Sequence, residues 1–153
     1  MEVTMVDIKQ EYLDWGVSAI SNSLEKLVSK ERMSREDADS AFSRIDSSVE
    51  LESLSDCDLV VEAIPEVPEL KFSTFSKLDS ICKPQAILAS NTSSISINEI
   101  ARHTNRADRV IGMHFMNPVP IMKLVEIING SETSEEVTSQ VVSASEEMGK
   151  TPL

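Results

Sequence analysis

Four short apolar runs, each cut off by polar or turn-forming residues, restrict this chain more than anything else in it. They are Leu59-Val60-Val61-Glu62-Ala63-Ile64, Ile87-Leu88-Ala89, Val110-Ile111-Gly112-Met113, and Leu124-Val125 with Ile127-Ile128 around a single acid, Glu126. Runs this short, bounded by turn residues, read as buried strands. The β-branched centre of the first is the mark of a strand covered on both faces, as in a parallel sheet. Helices are expected between the first and second runs and, briefly, between the second and third, so the expected class is α/β with a mainly parallel sheet.

In an open parallel sheet, side chains at the carboxyl ends of the strands face the ligand crevice. The second run stops at five small polar residues, the third delivers His114, and the fourth carries Glu126. Neighbouring strand ends would bring a hydroxyl cluster, an imidazole and a carboxylate to one place. That set suits alcohol oxidation. Histidine titrates near neutrality and can take a hydroxyl proton as a general base. A carboxylate on its other ring nitrogen fixes the tautomer and stabilises the imidazolium that forms. Spacing alone fits equally well a satisfied interior histidine and an edge-strand carboxylate.

The wording of the stretch separates those readings. SNTSS at 90–94, followed by GMHFMNPVPIMKLVEII at 112–128, resembles the NAD-binding domain of the 3-hydroxyacyl-CoA dehydrogenases, including the 3-hydroxybutyryl-CoA dehydrogenases. The resemblance implies a Rossmann-like, doubly wound, mainly parallel sheet, with NAD as cofactor. It also implies oxidation of L-3-hydroxyacyl-CoA to 3-oxoacyl-CoA in fatty-acid metabolism, by hydride transfer. On the same ground His114 of HFxNP is the catalytic base, and Glu126 of KLVE is its orienting partner. Ser93 matches the serine that contacts the substrate, its coenzyme A portion and the cofactor. Asn117 matches a cofactor-contacting asparagine.

Elsewhere the residues speak more softly. Val3-Thr4-Met5-Val6 is strand-like and ends at Asp7. Read alone, Asp7 fits a helix N-cap; the resemblance makes it the acid that bonds the adenosine ribose of NAD and disfavours the extra phosphate of NADP. Over residues 9–30 Leu13, Val17, Ile20, Leu24, Leu27 and Val28 recur at helical spacing, and a second helix is expected over 34–44. Ser23 and Lys30 lie seven apart and share a face, which alone reads as a solvated helix surface. The resemblance implies that both touch coenzyme A, with Lys30 offered to a phosphate. Residues 47–50 suggest a short strand. Glu66 follows the strand that begins at Leu59, and Lys71 falls in the first turns of a helix running to about residue 81. By themselves they are an acid near a helix start and a solvated lysine; the resemblance places them beside the nicotinamide ribose. His103 has no acid at useful spacing and reads as a surface residue. Residues 134–148 form a final amphipathic helix, with Gly149 as its C′ residue.

Composition excludes several classes. A formal net charge of −12 argues against nucleic acid. No apolar run approaches the ~20 residues of a membrane span, and none offers a lipid-binding surface. Cys57 and Cys82 stand alone, without metal-ligand spacing, which suits free thiols in a reducing, intracellular soluble setting. Cytoplasm, mitochondrion and peroxisome are not distinguished. No GxGxxG turn and no strand precede Val3, and the chain has only four glycines. The expectation is therefore a partial NAD-binding domain over residues 1–153, lacking the first strand and glycine-rich turn. The helical C-terminal domain, which in the resembled family supplies homodimer contacts, is also expected to be absent. The second reading is a catalytically inactive fragment or paralogue that acts as a binding or interaction module. The complete catalytic set favours the dehydrogenase; the missing turn favours the module.

Overall fold

The structure, a computed structural model, describes residues 1–153. It comprises two compact units, Met1–Leu54 and Ser55–Leu153.

In the first unit, β1 (Val3–Val6) pairs in parallel with β2 (Ile45–Ser48), with α1 (Gln10–Ser29) and α2 (Arg35–Phe42) as the crossover. Of the apolar stripe of α1, Leu13 is buried and Val17, Ile20, Leu24, Leu27 and Val28 are half-buried, while Tyr12 and Trp15 are exposed. Gly16 lets α1 approach its own sheet closely: a Cβ there would meet the Met5 sulfur at 3.2 Å. Ser34 caps α2 by accepting the Asp37 amide, and Glu36 and Asp37 occupy the first turn, where acids suit the helix dipole. β2 begins two residues earlier than the expected 47–50. The parallel register sets Ile45 opposite Val3, and that tertiary pairing overrides the weak local signal of Ile45-Asp46-Ser47-Ser48.

The second unit holds a five-stranded sheet in the order β3 (Leu59–Glu62), β4 (Ile87–Ser90), β5 (Val110–Phe115), β6 (Leu124–Asn129), β7 (Thr151–Pro152). α3 (Pro68–Ile81) joins β3 to β4, α4 (Ile97–Ala101) precedes β5, and α5 (Glu135–Glu147) follows β6. β3, β4 and β5 are parallel; β6 runs antiparallel to β5, and β7 runs parallel to β6. The sheet is thus mainly parallel with one reversal. One core cluster joins Ile87, Ala89, Ile111, Met113 and Val125 of the sheet to Val137 and Val141 of α5. Leu88 and Val110 alternate to the other face and are also fully buried, as are Phe75, Leu78 and Ile100. Each such side chain contributes about 1.5–3 kcal/mol of burial.

Two local features position the site. β3 ends at Glu62 rather than running on to Ile64, because the Glu62 carboxylate accepts the Ile64 amide at 2.7 Å and turns the chain. Arg106 fastens the end of α3. Its guanidinium donates to the Asp79 carboxylate at 2.7 Å and to the carbonyls of Asp79, Cys82 and Lys83. That satisfies carbonyls a helix C-terminus otherwise leaves orphaned.

Candidate active site

His114 and Glu126 are direct cross-strand partners in the β5–β6 ladder. Directly opposed residues in an antiparallel pair hold their Cβ atoms about 4.5–5.5 Å apart, within easy reach of a side-chain bond. The ring Nδ1 lies 2.8 Å from Glu126 Oε2. The expected meeting of parallel strand tips is corrected here. The acid sits in the middle of a returning strand, and the antiparallel register brings it to the imidazole. Apolar periodicity does not encode strand direction, so the reversal was hidden in the sequence. A carboxylate can only accept, so Nδ1 carries a proton, and in the neutral ring Nε2 keeps a free lone pair. The histidine side chain is 22 % exposed, open enough to reach a ligand.

The small polar run is held by Glu66. Its Oε1 accepts the Thr92 hydroxyl, the Ser93 amide at 3.0 Å, the Ser94 amide at 3.2 Å and the Ser94 hydroxyl at 3.1 Å. Asn91 ties the same run to β5 by accepting the Phe115 amide at 2.8 Å, one residue beyond His114. Ser93 itself is exposed. A cavity of about 330 Å³ opens there, lined by Ser93, Ser94, Asn98, His114, Glu126 and Ile128 among others.

Burial pushes the Glu66 carboxyl up, but donation from Thr92, Ser94, Lys71 and the Ser93 amide outweighs it and holds the group at about 2. A carboxylate with a depressed pKa contributes stability that is complete above the ordinary value of about 4.3 and lost below it. The loss here runs as pH falls through about 2. Glu66→Gln is therefore expected to melt below the wild type near neutrality, with the gap closing on acidification across that window. Melting temperature against pH for both proteins checks this; a gap independent of pH contradicts it.

Lys71 is not the solvated residue its sequence context suggests. It is fully buried, and its Nζ reaches Glu62 Oε1 at 2.6 Å, the Ile64 carbonyl at 3.2 Å and Glu66 Oε2 at 3.3 Å. The other Glu62 oxygen accepts the Ser90 hydroxyl at 2.6 Å. Glu62, Ser90, Asn91 and Thr92 join the site through these bonds, beyond the residues expected from the sequence. One signal was present: an acid inside an otherwise apolar run, with a lysine nine positions on.

Glu66, Lys71, Ser93, His114 and Glu126 thus gather in the second unit. Asn117 is exposed in the loop that leaves β5. Asp7, Ser23 and Lys30 belong to the first unit. Asp7 is exposed at the carboxyl end of β1, with one oxygen on the Ile8 amide at 2.7 Å. Ser23 and the C-cap residue Lys30 are exposed two turns of α1 apart, about 10 Å along the axis. His103 is exposed and stacks on Phe72 with centroids 4.4 Å apart.

The family model for the 3-hydroxyacyl-CoA dehydrogenase NAD-binding domain matches residues 1–153. The chain is 47 % identical over 152 residues to a probable 3-hydroxybutyryl-CoA dehydrogenase of Deinococcus radiodurans, covering 99 % of this chain and 54 % of that protein. It is 40 % identical to the fatty acid oxidation complex subunit alpha of Idiomarina loihiensis, covering 97 % of this chain and 21 % of the relative. The crystal structure of (S)-3-hydroxybutyryl-CoA dehydrogenase from Ralstonia eutropha superposes with a TM-score of 0.97 at 43 % identity, over 100 % of this chain and 54 % of that one. The chain spans about half the length of the 3-hydroxybutyryl-CoA dehydrogenases it matches.

Proposed function

From the premise that the chain belongs to the 3-hydroxyacyl-CoA dehydrogenase family, through its NAD-binding domain, we propose that it serves the NAD-dependent oxidation of L-3-hydroxyacyl-CoA thioesters in fatty-acid metabolism. The observation that carries this reading is the His114–Glu126 pair at 2.8 Å beside a cavity that Ser93 also lines. Bound NAD supplies the hydride acceptor. The side chains do the rest. His114 Nε2 takes the C3 hydroxyl proton as the C3–H hydride departs and the carbonyl forms. Glu126 holds the Nδ1–H and offsets the positive charge that develops on the ring. The Ser93 hydroxyl orients the substrate oxygen.

The residues on hand fit the cofactor. Glu66 is an ionised, partly exposed carboxylate just beyond the carboxyl end of β3, where ribose hydroxyls find an acceptor. Lys71, with no free surface, serves that site through Glu66, and Asn117 is placed to meet the cofactor from the loop after β5. In the first unit Asp7 is the proposed acceptor for the adenosine ribose, and Ser23 and Lys30 the proposed contacts for coenzyme A. Their spacing suits a long, phosphate-bearing ligand.

The test is oxidation of NADH by acetoacetyl-CoA, followed by absorbance, with melting temperature recorded in each ligand. Turnover and a rise in melting temperature with NADH are the expected results. A ligand at a hundred times its Kd stabilises by about 2.7 kcal/mol. Stabilisation by acyl-CoA with no turnover would instead select the binding-module reading.

A further inference from the structure

Glu62, Lys71 and Ser90 are charged or polar groups sealed in the interior, at 5 %, 0 % and 0 % exposure. Buried ion pairs are poor investments in stability alone. Apolar residues of similar volume are often as good or better, because two charges must first leave water. A fixed cation can do what an apolar pair cannot. The Lys71 ammonium stands between two carboxylates, at 2.6 Å from Glu62 Oε1 and 3.3 Å from Glu66 Oε2. Glu62 is itself immobilised by the Ile64 amide and the Ser90 hydroxyl, so the ammonium is fixed from the inner side. On the outer side, the other oxygen of Glu66 gathers the donors of Thr92, Ser93 and Ser94. Without the ammonium, Glu66 would face a second carboxylate and keep no charged partner; its side chain, 36 % exposed, would turn to water.

We propose that Glu62 is a positioning residue for Ser93: it locks the Lys71 ammonium, which locks Glu66, which holds the Ser93 backbone beside His114. The network links the end of β3, the start of α3 and the end of β4 to the loop that carries the substrate-facing hydroxyl. The inference rests on the reading of Ser93 as the group that meets the substrate oxygen.

The test compares Glu62→Gln, Lys71→Met and the double variant Glu62→Gln/Lys71→Met, by amide hydrogen exchange at Ser93 and Ser94. The double variant removes both buried charges together, so a role confined to neutralising them is relieved in it. The expected result is exchange at Ser93 and Ser94 faster by about tenfold or more in Glu62→Gln and in the double variant alike, with Ile111 and Val125 keeping wild-type rates. Wild-type protection of Ser93 and Ser94 in the double variant overturns the proposal, and so does equal acceleration throughout the sheet. Should no variant fold, the wild-type chain decides. A slowly exchanging Lys71 ammonium signal with cross-peaks to Glu66 is expected, and a signal connected to Glu62 alone overturns the proposal. Exchange as expected in a chain that binds neither NADH nor acyl-CoA would leave the positioning intact and remove the dehydrogenase reading.

Discussion

Glutamine in place of His114 is expected to lower kcat by on the order of 10³-fold, with KM close to its wild-type value. Glutamine preserves much of the volume and can still donate toward Glu126, so the ladder around it has little reason to move. It has no group that takes up a proton near neutral pH. In the proposed mechanism the lost interaction is one made only as the hydroxyl proton leaves, and such losses fall on kcat and kcat/KM alike. In the reverse direction the same residue returns the proton, so reduction of acetoacetyl-CoA is expected to fall by the same factor. Steady-state rates in both directions check this; a rise in KM with kcat retained would make His114 a binding group instead.

Glu126→Gln is expected to cost on the order of 10²-fold in kcat, less than the loss of the base itself. Two effects add. A neutral amide no longer offsets the imidazolium charge, and its NH2 end, if turned to Nδ1, favours the tautomer whose proton sits on Nε2. That tautomer presents a donor where the reaction needs an acceptor. The loss stays below that of His114→Gln because the Glu126 side chain is 45 % exposed, so water takes over part of its role. Ring 15N shifts of His114 read the tautomer directly. A variant with the Nδ1–H tautomer and wild-type kcat would remove Glu126 from the mechanism.

Much of this arrangement was legible in the residues. The run Ile87-Leu88-Ala89 gave a strand at Ile87–Ser90, and the stripe from Leu13 to Val28 gave a helix at Gln10–Ser29, because periodicity and burial agree in both. The conjunction of His114 with Glu126 was also readable, though not its route. Apolar runs state that a strand is buried and leave its direction open, so the antiparallel return of β6 had no local mark. The residue-only reading of Lys71 as a solvated lysine fails for a related reason. Its helix start looks solvated in one dimension, and only the fold reveals that Glu62 waits beneath it. Ile45–Ser48 failed in the other direction: it is a strand by virtue of its partner, with little in its own residues to announce one.

The ladder from Ile111 opposite Asn129 to Phe115 opposite Val125 sets the spacing of imidazole and acid by main-chain pairing. The eight residues between the two strands, 116–123, lie outside that ladder. The 2.8 Å approach of ring and acid is thus a property of paired main chain, with Asn117 carried separately on the connecting loop.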